Sequence, residues 1–105
     1  MTPERDLVTD ILLALGSRAD AHVWRQNVLV GRRGARVVRS GPNGTADILG
    51  VVSGIPLAVE CKSARGRLSP AQRSWGDAFT RAGGLYVVAR ELADVTAALA
   101  LRGVR

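Results

Sequence analysis

The chain has 105 residues, 47% of them hydrophobic and 23% charged, an ordinary balance for a folding protein and room for one domain with one modest core. Fifteen Lys+Arg against nine Asp+Glu leave a net charge of +6, so a polyanion, nucleic acid first, is the expected partner. One cysteine, Cys61, excludes an intrachain disulfide and a zinc site of several thiolates, and one histidine, His22, leaves little for imidazole chemistry. No apolar run approaches the roughly 18 residues of a membrane span, and Met1 to Asp6 lack the basic-then-apolar order of a signal peptide, so a cytoplasmic protein without a membrane partner is expected.

In chain order, Thr2 before Pro3 reads as an N-cap followed by proline in the first helical turn, and Leu7, Val8, Ile11, Leu12 and Leu15 recur at helical spacing up to Gly16. Val23 to Val30 and Arg36 to Arg39 read as strands around a basic turn of Gly31, Arg32, Arg33 and Gly34. After the loop Gly41-Pro42-Asn43-Gly44, the apolar runs Asp47 to Val52 and Leu57 to Cys61 flank Ser53 to Pro56 as a second hairpin. A basic loop with Arg65 and Arg67 precedes Ser69, Pro70 and Gln72, which supply the cap, first-turn proline and third position of a capping box. The helix so begun keeps Ala71, Trp75, Ala78, Phe79 and Ala82 on one face and stops at Gly83-Gly84, before the strand Leu85 to Ala89. A last helix over 91–101 turns Leu92, Val95 and Leu99 inward. The sum is an α/β domain, a mixed β-sheet flanked by helices. Sheet edges and helix faces that one short chain leaves uncovered make a homodimer the expected assembly.

Fourteen of the fifteen basic residues are arginine, and Lys62 is the one lysine. A compact ammonium kept where the chain otherwise chooses arginine is a modest pointer to chemistry. Strand alternation puts Glu60 and Lys62 on one side and Val59 and Cys61 on the other. A tight hairpin centred near Gly54 sets Glu60 opposite about Ile48 and Lys62 opposite about Ala46, with Asp47 within one residue of that acidic end. Asp47, Glu60 and the carbonyl of Cys61 then form an oxygen donor set suited to Mg²⁺, with Lys62 beside it to stabilise negative charge or position a nucleophile. The competing reading makes Asp47 a turn cap and Glu60–Lys62 a solvated pair; against it, charges within the apolar run Leu57 to Cys61 need a partner or a metal. Cys61 itself reads as a small core residue.

The order Glu4 on the first helix, Gly44-Thr45-Ala46-Asp47-Ile48, Val59-Glu60-Cys61-Lys62, Gly66-Arg67-Leu68-Ser69-Pro70-Ala71-Gln72 with Trp75, and Gly83-Gly84 before a strand resembles the VRR-NUC domain, a branch of the PD-(D/E)XK nuclease superfamily. The resemblance spans nearly the whole chain and implies a restriction-endonuclease-like core. It implies phosphodiester hydrolysis dependent on Mg²⁺ or Mn²⁺, with Asp47 and Glu60 as metal ligands, Lys62 as the catalytic lysine and Glu4 as an outer acid. Small stand-alone members of this kind act as dimers on branched DNA such as four-way junctions. Ala46 stands where the superfamily name has proline, and Cys61 where an aliphatic is usual; neither change removes a ligand.

Several residues carry two readings. Gln72 completes a capping box, and the resemblance also puts it beside the active site. Glu4 suits the first turn of a helix, yet its spacing to Val8, Ile11 and Leu15 puts it on the inward stripe. Trp75 reads as core, Trp24 as core or DNA-facing, and His22 as a surface residue. Arg32, Arg33, Arg36, Arg65 and Arg67 crowd the two basic loops, where phosphate contacts would add affinity without sequence preference. The expected function is a metal-dependent DNA endonuclease, selective for branched DNA as a homodimer. The rivals are a non-catalytic DNA-binding module of the same fold and a nicking or single-strand nuclease without junction preference.

Overall fold

The computed structural model describes residues 3–26, 30–34, 36–39 and 43–105, and only the backbone of Arg5, 30–33 and 36–39. Helix α1 runs Glu4–Gly16, and the Pro3 carbonyl accepts from the N–H groups of Asp6 and Leu7. Pro3 is extended at ψ 146°, so it occupies the cap and not the first helical position expected for it; Thr2 lies outside the described residues. Strands β1 (Ala21–Arg25), β4 (Ile48–Val52), β5 (Ile55–Cys61) and β6 (Leu85–Ala89) form one sheet in the order β1-β4-β5-β6. The first three are antiparallel neighbours; β6 returns parallel to β5 after helix α2 (Pro70–Arg81). Helix α3 (Leu92–Leu101) follows. The fold is therefore α/β, a mixed sheet flanked by helices, as the order of periodicities requires.

A basic hairpin of β2 (Val30–Arg33) and β3 (Arg36–Arg39) forms a separate two-stranded ladder, but the expected strand Val23 to Val30 is not one strand: β1 ends at Arg25 and pairs with β4 in the main sheet, and only Val30 of that stretch belongs to the hairpin. Arg33 pairs with Arg36, so Gly31 to Arg33 belong to the strand and the turn is tighter than the expected Gly31 to Gly34. The placement of the Arg32, Arg33 and Arg36 side chains lies outside the described residues.

One face of the sheet is the core. Leu7, Val8, Ile11 and Leu15 of α1 and Val95 and Leu99 of α3 pack against Ile48, Val52, Leu57, Val59, Cys61, Val87 and Ala89. Alternation along the strands gives the other face His22, Trp24, Leu49, Val51, Pro56, Ala58, Glu60, Tyr86 and Val88. Helix α2 lies over the β6 side of that second face, with the Tyr86 ring against Gly76. Its inward stripe is Ala71, Gln72, Trp75, Gly76 and Phe79. Ala78 and Ala82, expected on that stripe, are exposed. A bare glycine at 76 lets the Tyr86 ring approach, which centres contact one position away from Ala78.

The hairpin register differs from expectation by one residue, with a functional consequence. Ser53 (φ 51°) and Gly54 (φ 81°) form a two-residue turn with both φ positive, the geometry whose twist matches antiparallel strands, so β5 already begins at Ile55. Ile48 pairs with Val59, not with Glu60, and one further step sets Asp47 across from Glu60. A one-residue slip exchanges the faces of a strand. The observed register is the one that gives Asp47 and Glu60 a common face.

Candidate metal centre

The site lies where β4 begins and β5 ends, under the first turn of α1 and the first turn of α2. Glu4, Asp47 and Glu60, from three separate elements, place carboxylate oxygens within 4.8 Å of one another. Glu4 is exposed, Asp47 half-buried and Glu60 only 2% exposed. The loop leading to Asp47 is pressed onto α2: Gly44 has φ 85°, and a Cβ there would stand 2.3 Å from the Ala71 carbonyl oxygen. Only glycine fits both that conformation and that approach.

Asp47 is held at both its ends. Its carbonyl accepts from the Gln26 N–H at 2.7 Å, and its Oδ2 accepts from the Cys61 N–H at 2.8 Å. The side chain thus continues the β4–β5 ladder past the last backbone pair. In an extended strand the N–H and C=O of one residue face the same edge, so the Cys61 carbonyl also faces the Asp47 edge. The Lys62 N–H turns the other way, to the Ala89 carbonyl at 2.9 Å.

Glu60 is where the energetics concentrate. Its Oε2 accepts from Gln72 Nε2 at 3.3 Å and lies 3.9 Å from Lys62 Nζ, too long for a tight ion pair. Its Oε1 is buried without a hydrogen-bond partner among the described residues. Burial first, then the Asp47 carboxylate, push the Glu60 carboxyl up to about 8, against the smaller opposing pull of Lys62. A buried carboxyl that shares a cluster with two more carboxylates must be neutralised, and hard oxygen donors in that arrangement fit Mg²⁺ or Mn²⁺. Glu4, Asp47, Glu60 and the Cys61 carbonyl are the groups that would hold the ion.

Gln72 carries both of the roles that its sequence position suggests. Its N–H donates to Ser69 Oγ at 3.1 Å and its Oε1 accepts from the Ser69 N–H at 2.9 Å, completing the capping box. Because the amide oxygen must accept there, the amide nitrogen is left to donate to Glu60. The cap therefore fixes which way round the amide meets the site.

The remaining candidates separate. Lys62 is nearly buried beside Glu60. Arg65 and Arg67 are exposed on the loop after it. Burial pushes the Cys61 thiol up to about 12, which suits the core residue expected and not a nucleophile. Trp75 is half-buried and stacks on Phe79 at 5.1 Å between ring centres. His22 is exposed.

Two residues the sequence reading passed over belong here. Arg90 donates through Nη1 to the carbonyls of Ser63 and Gly66, holding the loop that follows Lys62. The parallel return of β6 predicts this neighbourhood, since Cys61 pairs with Ala89 and Arg90 is the next residue. Tyr86 keeps its hydroxyl buried and unpartnered among the described residues; burial, then the Glu60 and Asp47 charges, raise it to about 12, so it stays protonated. No family model matches this chain, and no curated protein matches it either. Among the described residues no helix is long and apolar enough to cross a membrane.

Proposed function

We propose that the chain is a Mg²⁺- or Mn²⁺-dependent DNA endonuclease of the VRR-NUC type, acting in the cytoplasm as a homodimer on branched DNA. The observation that carries the reading is the meeting of Glu4, Asp47 and Glu60, of which Glu60 is buried with one oxygen unpartnered among the described residues, with the chain's one lysine beside it. The bound cation supplies polarisation of the phosphodiester and a more acidic water. Asp47, just before β4, and Glu60 on β5 would hold the ion, and Glu4 would add a third carboxylate from α1. The Gln72 amide keeps Glu60 turned toward the site. Lys62 places an ammonium where charge grows on the phosphate oxygens as water attacks phosphorus. One P–O ester bond breaks, leaving a phosphomonoester and a hydroxyl. Arg65 and Arg67 meet flanking phosphates, and Arg32, Arg33 and Arg36 extend the basic character along the hairpin. Homodimer and junction preference come from the resemblance, supported by symmetry: a twofold pair presents two sites to two strands.

The test is cleavage of labelled four-way junction, linear duplex and single strand, each with and without Mg²⁺ or Mn²⁺. Metal-dependent cutting of the junction by the parent, lowered at least 100-fold or so by Lys62→Ala and by Glu60→Ala, is expected. Variants that cut as well as the parent overturn the enzyme. Binding without cutting assigns the non-catalytic module, and equal cutting of all strands removes the junction preference.

A further inference from the structure

Among the described residues, the second sheet face is only half covered. Helix α2 lies over β6, while His22 and Trp24 of β1 and Val51 of β4 stay open, Trp24 and Val51 each 44% exposed. This open half carries the same orientation as Asp47 and Glu60. Gln26 stands opposite Asp47 through its N–H bond to the Asp47 carbonyl, and the Trp24 Nε1–H donates to Gln26 Oε1 at 3.2 Å. The indole is thereby held at its Nε1 edge and stands in a tilted pair with His22 at 5.8 Å between ring centres, with much of its surface still exposed. Trp24 pairs across to Leu49 and onward to Ala58, two residues from Glu60. Strand spacing and rise put the Trp24 and Glu60 backbones about 12 Å apart. One nucleic-acid strand can therefore engage the acids with a phosphate and the indole with a nearby base.

Two occupants suit an open aromatic face, and the numbers choose between them. Trp24 and Val51 together offer on the order of 200 Å² of side-chain surface, well short of the about 800 Å² per partner of a standard protein interface. A single unpaired base needs no more than a ring to stack on, and the +6 chain with Arg25 exposed at the end of β1 draws the polyanion to it. We infer that Trp24, steadied by Gln26 and flanked by His22, is a stacking platform for an unpaired base next to the phosphate held at the acidic cluster, which selects substrates with single-stranded character at the cut. The inference rests on the nuclease reading for the position of that phosphate.

Trp24 and Trp75 are the two tryptophans, so Trp75→Phe leaves Trp24 as the sole indole reporter without touching it. Titrating that variant in EDTA with an oligothymidylate single strand is expected to quench its fluorescence, and a blunt duplex of equal length to quench it less. In a labelled-oligonucleotide anisotropy assay, Trp24→Ala weakens single-strand binding about tenfold and Trp24→Phe recovers most of the loss. Unchanged fluorescence at saturating oligonucleotide, or equal affinity in Trp24→Ala, overturns the platform. A fall in sedimentation mass from dimer to monomer in Trp24→Ala also overturns it, by assigning the face to a second copy. The two readings fail separately. If the parent cuts nothing with Mg²⁺ yet quenches, the nuclease falls and the platform stands. If Lys62-dependent cutting shows the same preference for a flapped over a blunt substrate with and without Trp24, the platform falls and the nuclease stands.

Discussion

A carboxyl group buried like Glu60 is neutralised by a proton or by a cation, and the two compete. Its folded value, about 8, lies above the ordinary 4.5, so between those limits the folded chain holds a proton that the unfolded chain has released. Raising the pH across that window therefore removes stability. The metal-free protein should melt at a falling temperature from pH 5 to pH 9, and Glu60→Gln should flatten the trend; a parent curve already flat rejects the assignment. The same proton opposes Mg²⁺, whose affinity by calorimetry should rise by up to about tenfold per pH unit below about 8 and then level off. Gln72 allows its two duties to be measured apart. Gln72→Ala loses cap and donor and should cost about 1 kcal/mol in a melt. Gln72→Glu keeps the acceptor for the Ser69 N–H but turns a carboxyl toward Glu60, so at pH 5 it should melt close to the parent. Metal affinity or cleavage should nevertheless drop about 10–100-fold, the usual loss when a group orienting a ligand is changed. Equal loss of stability in both variants would show that the amide donor, and not the cap, carries the stability.

At the scale of elements, the turn between β4 and β5 decides whether the acids meet. Ser53 sits at φ 51°, a region that disfavours most residues and tolerates asparagine. Ser53→Asn creates the Asn-Gly pair this turn prefers and should stabilise the protein by about 0.5–1 kcal/mol in denaturant melts, with cleavage unaltered, because Ser53 lies at the end of the hairpin away from the acids. A loss of stability would mean that the turn is not of this type. The same turn marks the boundary of what the residues reveal. Apolar alternation, the Ser69-Pro70-Gln72 cap and Gly83-Gly84 announce β5, α2 and β6 from local preferences alone. The register does not follow from them, since Ser53-Gly54 and a longer Ser53-to-Pro56 loop read alike until the strands are paired. That single residue of offset is why Asp47, expected beside Glu60, is found across from it. Ala78 and Ala82 were legible as apolar but not as exposed, because alanine satisfies a helix on either face and the ring of Tyr86 selects the contact.

For the molecule as a whole, the sheet order brings together groups that sequence keeps apart. The parallel return of β6 lays Arg90 beside the loop after Lys62, 24 residues from Gly66, so an arginine that looks like one of fourteen becomes the clamp of a basic loop. Held by Arg90 at two carbonyls, that loop leaves Arg65 and Arg67 exposed on the flank of the acids, opposite in charge to them. This division of sign suits a phosphodiester: the acids require a cation before an anion can approach, while the arginines attract the neighbouring phosphates directly. Phosphate contacts release counterions, so affinity for DNA should fall linearly in log–log coordinates as salt rises, by about 0.9 in slope per contact. Arg65→Ala with Arg67→Ala should lower that slope by about two and weaken binding alike on unrelated duplex sequences. Trp24→Ala should leave the slope as it is, because stacking releases no counterion from a phosphate. A slope unaffected by loss of both arginines would place the DNA path elsewhere, toward the β2–β3 hairpin.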